Sequence, residues 1–286
     1  LGATITANGG SAITERGTVY KTSSGVSATD SNLAEGGTTV SAYTHSRTGL
    51  SPQTLYYYAG YAKNAAGTSL SAESSFRTLS SPPLTQASTL STTNVTSTTI
   101  DIVIGGAATF PSSGATNAGY VIIYSTNTPT LSSSNGQSPA AGVGTVFTTA
   151  STTLPSTPST TITITGLSAA TTYNFLVVPY TWDGTNAATY NYLTSSAPST
   201  NGTTDVPTYT WSGANNASWA TAANWTPTRT TTATNDVLVF NSNTTLTVSG
   251  VPAQTIGAIK VLGSSTKITL QASSTGTTLT IGNNPG

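Results

Sequence analysis

An eight-residue pattern occurs twice in this chain and constrains its fold more than any other feature. Gly49-Leu50-Ser51-Pro52-Gln53-Thr54-Leu55-Tyr56 reads G-L-S-x-x-T-x-Y, and Gly166-Leu167-Ser168-Ala169-Ala170-Thr171-Thr172-Tyr173 reads the same. Alternating apolar residues come after each copy: Tyr56 and Tyr58 in the first, Tyr173, Phe175 and Val177 in the second. Period two buries one side of a strand, so Tyr56 and Tyr58 are expected inward and Tyr57 outward. A second matching pair lies upstream, Gly17-Thr18-Val19-Tyr20 and Val121-Ile122-Ile123-Tyr124. From Tyr20 to Tyr56 is 36 residues, and from Tyr124 to Tyr173 is 49. The second copy therefore carries a longer Ser/Thr/Pro-rich excursion over 127–160. A repeat on this scale predicts tandem β modules.

Composition agrees. The 286 residues leave room for two or three domains. Only 6% are charged, against roughly 25% in an ordinary soluble domain. Polarity comes from Ser, Thr, Asn and Gly, which favour strands and turns over helix interiors, and no helical periodicity stands out. Eight acids cancel eight bases, so no basic field exists to hold nucleic acid. No apolar run reaches the length of a membrane span. Without cysteine there are no disulfides and no thiolate metal sites. Leu1 is not an initiator methionine and no leader precedes it, so the chain reads as a processed segment, secreted with its signal already removed.

A leucine with, six residues later, a tyrosine that opens a strand resembles the E–F corner of fibronectin type III domains. The resemblance implies buried corner tyrosines, Tyr56 and Tyr173, whose hydroxyls bond the backbone and whose rings pack near Leu50 and Leu167. Gly9-Gly10, Ile13-Thr14-Glu15-Arg16-Gly17-Thr18-Val19-Tyr20 and Ala62-Lys63-Asn64-Ala65-Ala66-Gly67-Thr68 are similar to the variety common in secreted Bacteroidota surface proteins. That implies export across an outer membrane, as by the type IX route. Relatives of this kind supply a strand before the segment matching Gly2–Thr6. The resemblance thus implies a missing first strand here, supplied by another copy or lying upstream in the same polypeptide. If supplied by a copy, the donor expected is Thr277–Ile281 or residues beyond it.

The expected fold is all-β: two fibronectin type III or immunoglobulin-like sandwiches, 1–79 and 80–206, then a β-solenoid or β-meander over 207–286. Ser80-Ser81-Pro82-Pro83 and Thr203-Thr204-Asp205-Val206-Pro207 read as linkers open to protease. The opening with Trp211, Trp219 and Trp225 resembles the Trp-rich start of repetitive bacterial surface proteins. Short strands are expected at Val237–Phe240, Thr245–Val248, Ala258–Leu262, Lys267–Leu270 and Thr277–Ile281.

Catalysis needs clustered titratable groups, and the supply is His45, five Asp and three Glu. Alternation places His45 beside Arg47 on a solvent face. No G-x-S-x-G elbow occurs, and one His without Cys gives no zinc spacing. No catalytic residue, metal site or cofactor is expected. Two sets could touch a ligand or partner. Trp182 and Asp183 open a loop after the second corner strand, where Asp183-Gly184 is also ordinary hairpin chemistry. Trp211, Trp219 and Trp225 could stack on sugar rings, though indoles that open a β-stack more often plug it. Five N-x-S/T sequons are expected by chance in so Thr-rich a chain. The leading reading is a non-catalytic structural or adhesive segment of an extracellular fibre or surface protein, partnered by copies of itself or neighbouring modules. The alternative is an accessory, glycan-binding region of a secreted polysaccharide-degrading enzyme.

Overall fold

The structure is a computed structural model that describes residues 1–139, the backbone of 145–149, and 161–282. Residues 140–144 and 150–160 of the Ser/Thr/Pro-rich excursion, and the last four residues, lie outside the described residues. The protein is all-β: among the described residues only two single-turn 3-10 segments, Ala187–Thr189 and Ala222–Asn224, are helical. None is long and apolar enough to cross a membrane.

The first seven strands are β1 (Gly2–Thr4), β2 (Glu15–Lys21), β3 (Ser31–Ala34), β4 (Ala42–Thr44), β5 (Leu55–Asn64), β6 (Gly67–Leu70) and β7 (Ser74–Arg77). They form an antiparallel sandwich of a small sheet, β1-β4, and a larger one ordered β3-β2-β5-β6, with β7 also on β5. Register sets Tyr20 opposite Tyr58 and Tyr56 opposite Phe76. Those four rings pack together, Tyr56 stacked on Phe76 at 5.7 Å and tilted to Tyr20 at 5.6 Å. Gly60 lets the two sheets approach: a Cβ there would strike the Ala3 methyl and lie 3.0 Å from the Tyr43 hydroxyl.

The next eight strands are β8 (Thr89–Thr93), β9 (Ile100–Gly105), β10 (Asn117–Ser125), β11 (Thr145–Thr149), β12 (Thr161–Ile164), β13 (Thr172–Trp182), β14 (Asn191–Tyr192) and β15 (Ser199–Thr203). One sheet is ordered β12-β9-β8, the other β11-β10-β13-β14 with β15 on β13. Ile100, Ile102 and Ile104 alternate along β9 and are fully buried, as period two demands. The outer face of β10 and β13 is also covered. Val121, Ile123, Val178, Tyr180, Tyr190 and Tyr192 cluster there with Leu131. Part of the excursion is tied down over them: Gly136 N–H donates to Tyr190 O (2.8 Å), and the Tyr192 hydroxyl donates to Gln137 O (2.9 Å).

The last eight strands are β16 (Thr208–Trp211), β17 (Trp225–Thr226), β18 (Val237–Phe240), β19 (Thr245–Val251), β20 (Gln254–Ile256), β21 (Ala258–Val261), β22 (Lys267–Ala272) and β23 (Leu279–Ile281). Parallel pairing of β16 with β18, β18 with β21, β19 with β22 and β20 with β23 makes this region a solenoid, not a meander. Successive coils return after 21 residues on one face, 22 on the second and 25 on the third.

The described residues divide into two compact units. One holds Leu1–Ser91, Val103–Ile162 and Phe175–Thr200; the other holds Thr92–Ile102, Thr163–Asn174 and Asn201–Gly286. The first unit carries the first sandwich and the Tyr180–Tyr190–Tyr192 cluster. The second carries the second copy of the octapeptide and the solenoid.

Candidate functional site

The repeated octapeptide folds into the same hydrogen-bonded joint in both copies. Gly49 and Gly166 open it with φ of 71° and 72°, a left-handed turn that a Cβ disfavours. The serine N–H then donates to the tyrosine hydroxyl, Ser51 to Tyr56 and Ser168 to Tyr173, each at 3.0 Å. Tyr56 is buried, Tyr173 half-buried, Leu167 buried and Leu50 half-exposed. The threonine hydroxyl of each motif donates back across its own turn, Thr54 to Pro52 O and Thr171 to Ala169 O, both at 2.8 Å.

Each joint includes a residue that the sequence did not single out, a threonine where the chain leaves the module. Thr78 donates to Ser51 O (2.7 Å) and accepts from Thr54 N–H (2.9 Å). Thr204 donates to Ser168 O (2.6 Å) and accepts from Thr171 N–H (2.9 Å). The backbone closes the ring, Thr78 N–H to Thr54 O and Thr204 N–H to Thr171 O, both 3.0 Å. A corner turn and an exit strand are thereby tied by the same four groups twice. The one shared signal is a Thr just before the first linker and inside the second, which is weak in so Thr-rich a chain.

Both stretches read as linkers are hydrogen-bonded to the rest of the chain, which leaves 127–160, partly outside the described residues, as the other stretch where cleavage is expected. Ser80 is buried; its N–H donates to Thr189 O (2.9 Å) and its carbonyl accepts from the Asn191 amide (2.7 Å). The Ser81 carbonyl accepts from the Thr181 hydroxyl at 2.6 Å. Downstream, Asp205 N–H donates to Thr96 O (3.0 Å), and Pro207 O accepts from Val237 N–H (2.8 Å). Backbone groups already hydrogen-bonded give a protease less free main chain to bind.

Replacing Thr204 with valine is expected to cost roughly 1–2 kcal/mol, because a part-buried carbonyl and N–H both lose their partner. Thr204→Ser, which keeps both bonds, is expected to cost less than half as much. Urea midpoints of the two variants check this.

The candidate ligand residues have other roles. Trp211, Trp219 and Trp225 are 7%, 2% and 2% exposed, which corrects the sugar-stacking option: no indole face is free. Trp225 meets Trp211 and Trp219 edge-on at 4.9 and 5.2 Å, and its Nε1–H donates to Trp219 O at 3.0 Å. Together with Phe240 they fill the first coil. Beneath them lies a buried ion pair. Arg229 Nε donates to Asp236 Oδ2 at 2.8 Å, and Nη2 touches the same oxygen at 2.6 Å. The guanidinium lies 5.7, 6.0 and 5.8 Å from the ring centres of Tyr209, Trp219 and Trp225.

Trp182 is half-buried, with one face stacked on Tyr190 at 4.7 Å. Asp183 Oδ1 accepts from Asn186 N–H (2.6 Å) and Thr185 N–H (2.8 Å), closing its own turn. Burial pushes its pKa up, but those two N–H groups, together with the Thr189 and Thr185 hydroxyls, more than offset this and hold it below the usual value. Among the described residues no group of three or more His, Asp or Glu gathers to hold a metal.

His45 is not on a solvent face. Period-two alternation runs on past the end of β4: Tyr43 is buried, His45 and Arg47 are half-buried, and Thr44 and Ser46 are exposed, so His45 lies on the inward side. His45 Nε2 lies 2.7 Å from the hydroxyl of fully buried Thr18. Arg47 donates to the Thr18 carbonyl and lies 4.4 Å from the Tyr20 ring centre. Burial, then the Arg47 charge, lowers the His45 pKa from 6.5. A depressed histidine stabilises the fold fully above pH 6.5 and loses that contribution as pH falls from there toward its folded value. Depressed Asp30, Glu35 and Glu73 lose theirs only below the ordinary carboxylate range. The first sandwich is therefore expected to begin weakening as pH falls below 6.5, above the range where Asp30, Glu35 and Glu73 lose their contributions. His45→Gln is expected to flatten that limb of a stability–pH curve and leave the acid limb in place.

No protein-family model matches the chain, and no curated protein does. Among solved structures it is similar to the crystal structure of the chicken CNTN1 FN1-FN3 domains. Identity is 12% and the TM-score 0.30, over 67% of this chain and 56% of that one. It is also similar to a computationally redesigned β-sandwich protein, at 19% identity and a TM-score of 0.23, over 44% of this chain and 90% of that one. The chain thus spans little more than half the length of the first structure. At such scores neither neighbour bears on function; the all-β architecture rests on the strands and registers described above.

Proposed function

We propose that this chain is a non-catalytic structural and adhesive segment of an extracellular fibre or large cell-surface protein, with modules bounded near residues 80 and 206. The observation that carries this reading is the duplicated joint: the polar groups brought together twice at good geometry are taken up in tying corner to exit strand. A Bacteroidota-like origin belongs to the same proposal. The glycan-binding alternative drew on Trp211, Trp219 and Trp225, and the burial of all three removes its support.

Its partners, in this reading, are other copies or neighbouring modules, met along strand edges. Leu1 exchanges hydrogen bonds with His45, and Ile5 donates to Ser41. By alternation Gly2, Thr4 and Thr6 direct their N–H and C=O groups to the opposite edge of β1. A groove of about 260 Å³, lined by Ala3, Ile5, Tyr43, Gly60, Tyr61 and Leu70 among others, runs beside that edge. No charge or proline blunts it between Gly2 and Ala7, as exposed edges usually require. Electron microscopy of the full chain is the test. Filaments that disappear in Thr4→Pro, which deletes an outward N–H, support strand addition at this edge. Only monomers in the unaltered chain, or filaments indifferent to Thr4→Pro, contradict it.

A further inference from the structure

Of the three variable positions of the octapeptide, one, Leu55 or Thr172, opens the strand; the other two form an adjacent pair in the turn, Pro52-Gln53 in the first copy and Ala169-Ala170 in the second. Gln53 and Ala170 both sit at positive φ, 57° and 48°. Both donate their N–H to the exit segment, Gln53 to Leu79 O (3.0 Å) and Ala170 to Asp205 O (3.2 Å). The backbone is thus the same, and only the side chains differ. In the first copy these side chains reach past the exit strand, to Ser80 and to the loop that carries Gly114 and Thr116. Gln53 Nε2 donates to Ser80 Oγ at 2.9 Å, and Gln53 Oε1 accepts from Thr116 Oγ1 at 3.3 Å. Pro52 packs on that loop, where a Cβ on Gly114 would lie 2.6 Å from Pro52 Cγ. The same loop accepts Ser81 N–H through Gly114 O at 2.6 Å. The second copy offers two methyl groups, and the strand after it enters a solenoid.

We infer that the variable pair is a docking code that matches each corner to the module next in the chain. Pro-Gln is the face that accepts the Gly114–Thr116 loop of a sandwich. Pro52 supplies a rigid, apolar contact against a glycine backbone. Gln53 supplies one donor and one acceptor, a pairing that Ala-Ala cannot make. The invariant residues of the motif hold the turn; the variable pair chooses the neighbour. This coupling does not depend on where the chain is displayed.

Amide exchange on the full-length chain tests it. In Pro52→Ala/Gln53→Ala, the Ser80 and Ser81 amides are expected to exchange at least tenfold faster, while those of Val19 and Ala59 keep their rates. Thr116→Val, which touches the code from the other side without altering the corner, is expected to speed Ser80 and Ser81 in the same direction. Replacing Ala169-Ala170 with Pro-Gln is expected to leave the Asp205 amide unchanged. Unchanged rates at Ser80 and Ser81 in both first-copy variants would overturn the inference. So would an equal rise at Val19 and Ala59, because the pair would then be supporting its own sandwich instead of docking the next.

Discussion

Asp236→Ala is expected to destabilise the solenoid by roughly 3–5 kcal/mol, the usual cost of leaving one member of a buried ion pair without its partner. Arg229 and Asp236 side chains are 2% and 1% exposed, so water cannot reach the guanidinium that remains. Asp236 also accepts from Ala233 N–H at 3.0 Å, and that donor would be orphaned too. Arg229→Met/Asp236→Leu removes both charges together and is expected to recover most of the loss, since apolar replacement of a whole buried pair is often neutral. Equilibrium denaturation monitored by tryptophan fluorescence reads this directly, because Trp219 and Trp225 lie against the pair. A single variant as stable as the parent would contradict the buried pairing of Arg229 with Asp236.

Tyr56→Ala is expected to cost roughly 3–5 kcal/mol, in the range for large aromatic side chains cut from a core. The ring contacts Tyr20 and Phe76, and its hydroxyl receives Ser51 N–H. Tyr56→Phe keeps the packing and loses only the acceptor, an expected cost of roughly 1–2 kcal/mol. At the second corner Tyr173 is half-buried, so the same truncation is expected to cost less. Thermal or urea unfolding of the three variants checks the order. Equal effects of Tyr56→Ala and Tyr173→Ala would contradict the packing described for the first corner.

Local chemistry was legible in the sequence. Gly49, Ser51, Thr54 and Tyr56 bond within eight residues of one another, so their chemistry shows as a pattern. Thr78 and Thr204 complete the joints but lie 22 and 31 residues beyond the tyrosines, at no fixed spacing. The solenoid strands show through short apolar alternation, and β18 has the expected bounds. The strand β20, Gln254–Ile256, escapes such a reading because three residues with one apolar side chain carry no period. Parallel stacking is not legible either, since the returns of 21, 22 and 25 residues are unequal. The tryptophans illustrate a different limit. Residue type alone does not separate a binding platform from a core plug; burial does. For His45 the period holds and only the face differs from the expectation: it alternates in step with buried Tyr43, and a polar imidazole on an inward face carries no apolar signal.

The central claim is that each joint ties its corner turn to the segment that follows it, through Thr78 in the first copy and Thr204 in the second. Residue-resolved amide hydrogen exchange on the unaltered full chain tests it most directly. The account predicts that the N–H groups of Thr78, Ser80, Thr204 and Asp205 exchange as slowly as those in the centres of β5 and β13. Exchange at those four positions as fast as in an unstructured loop would contradict it.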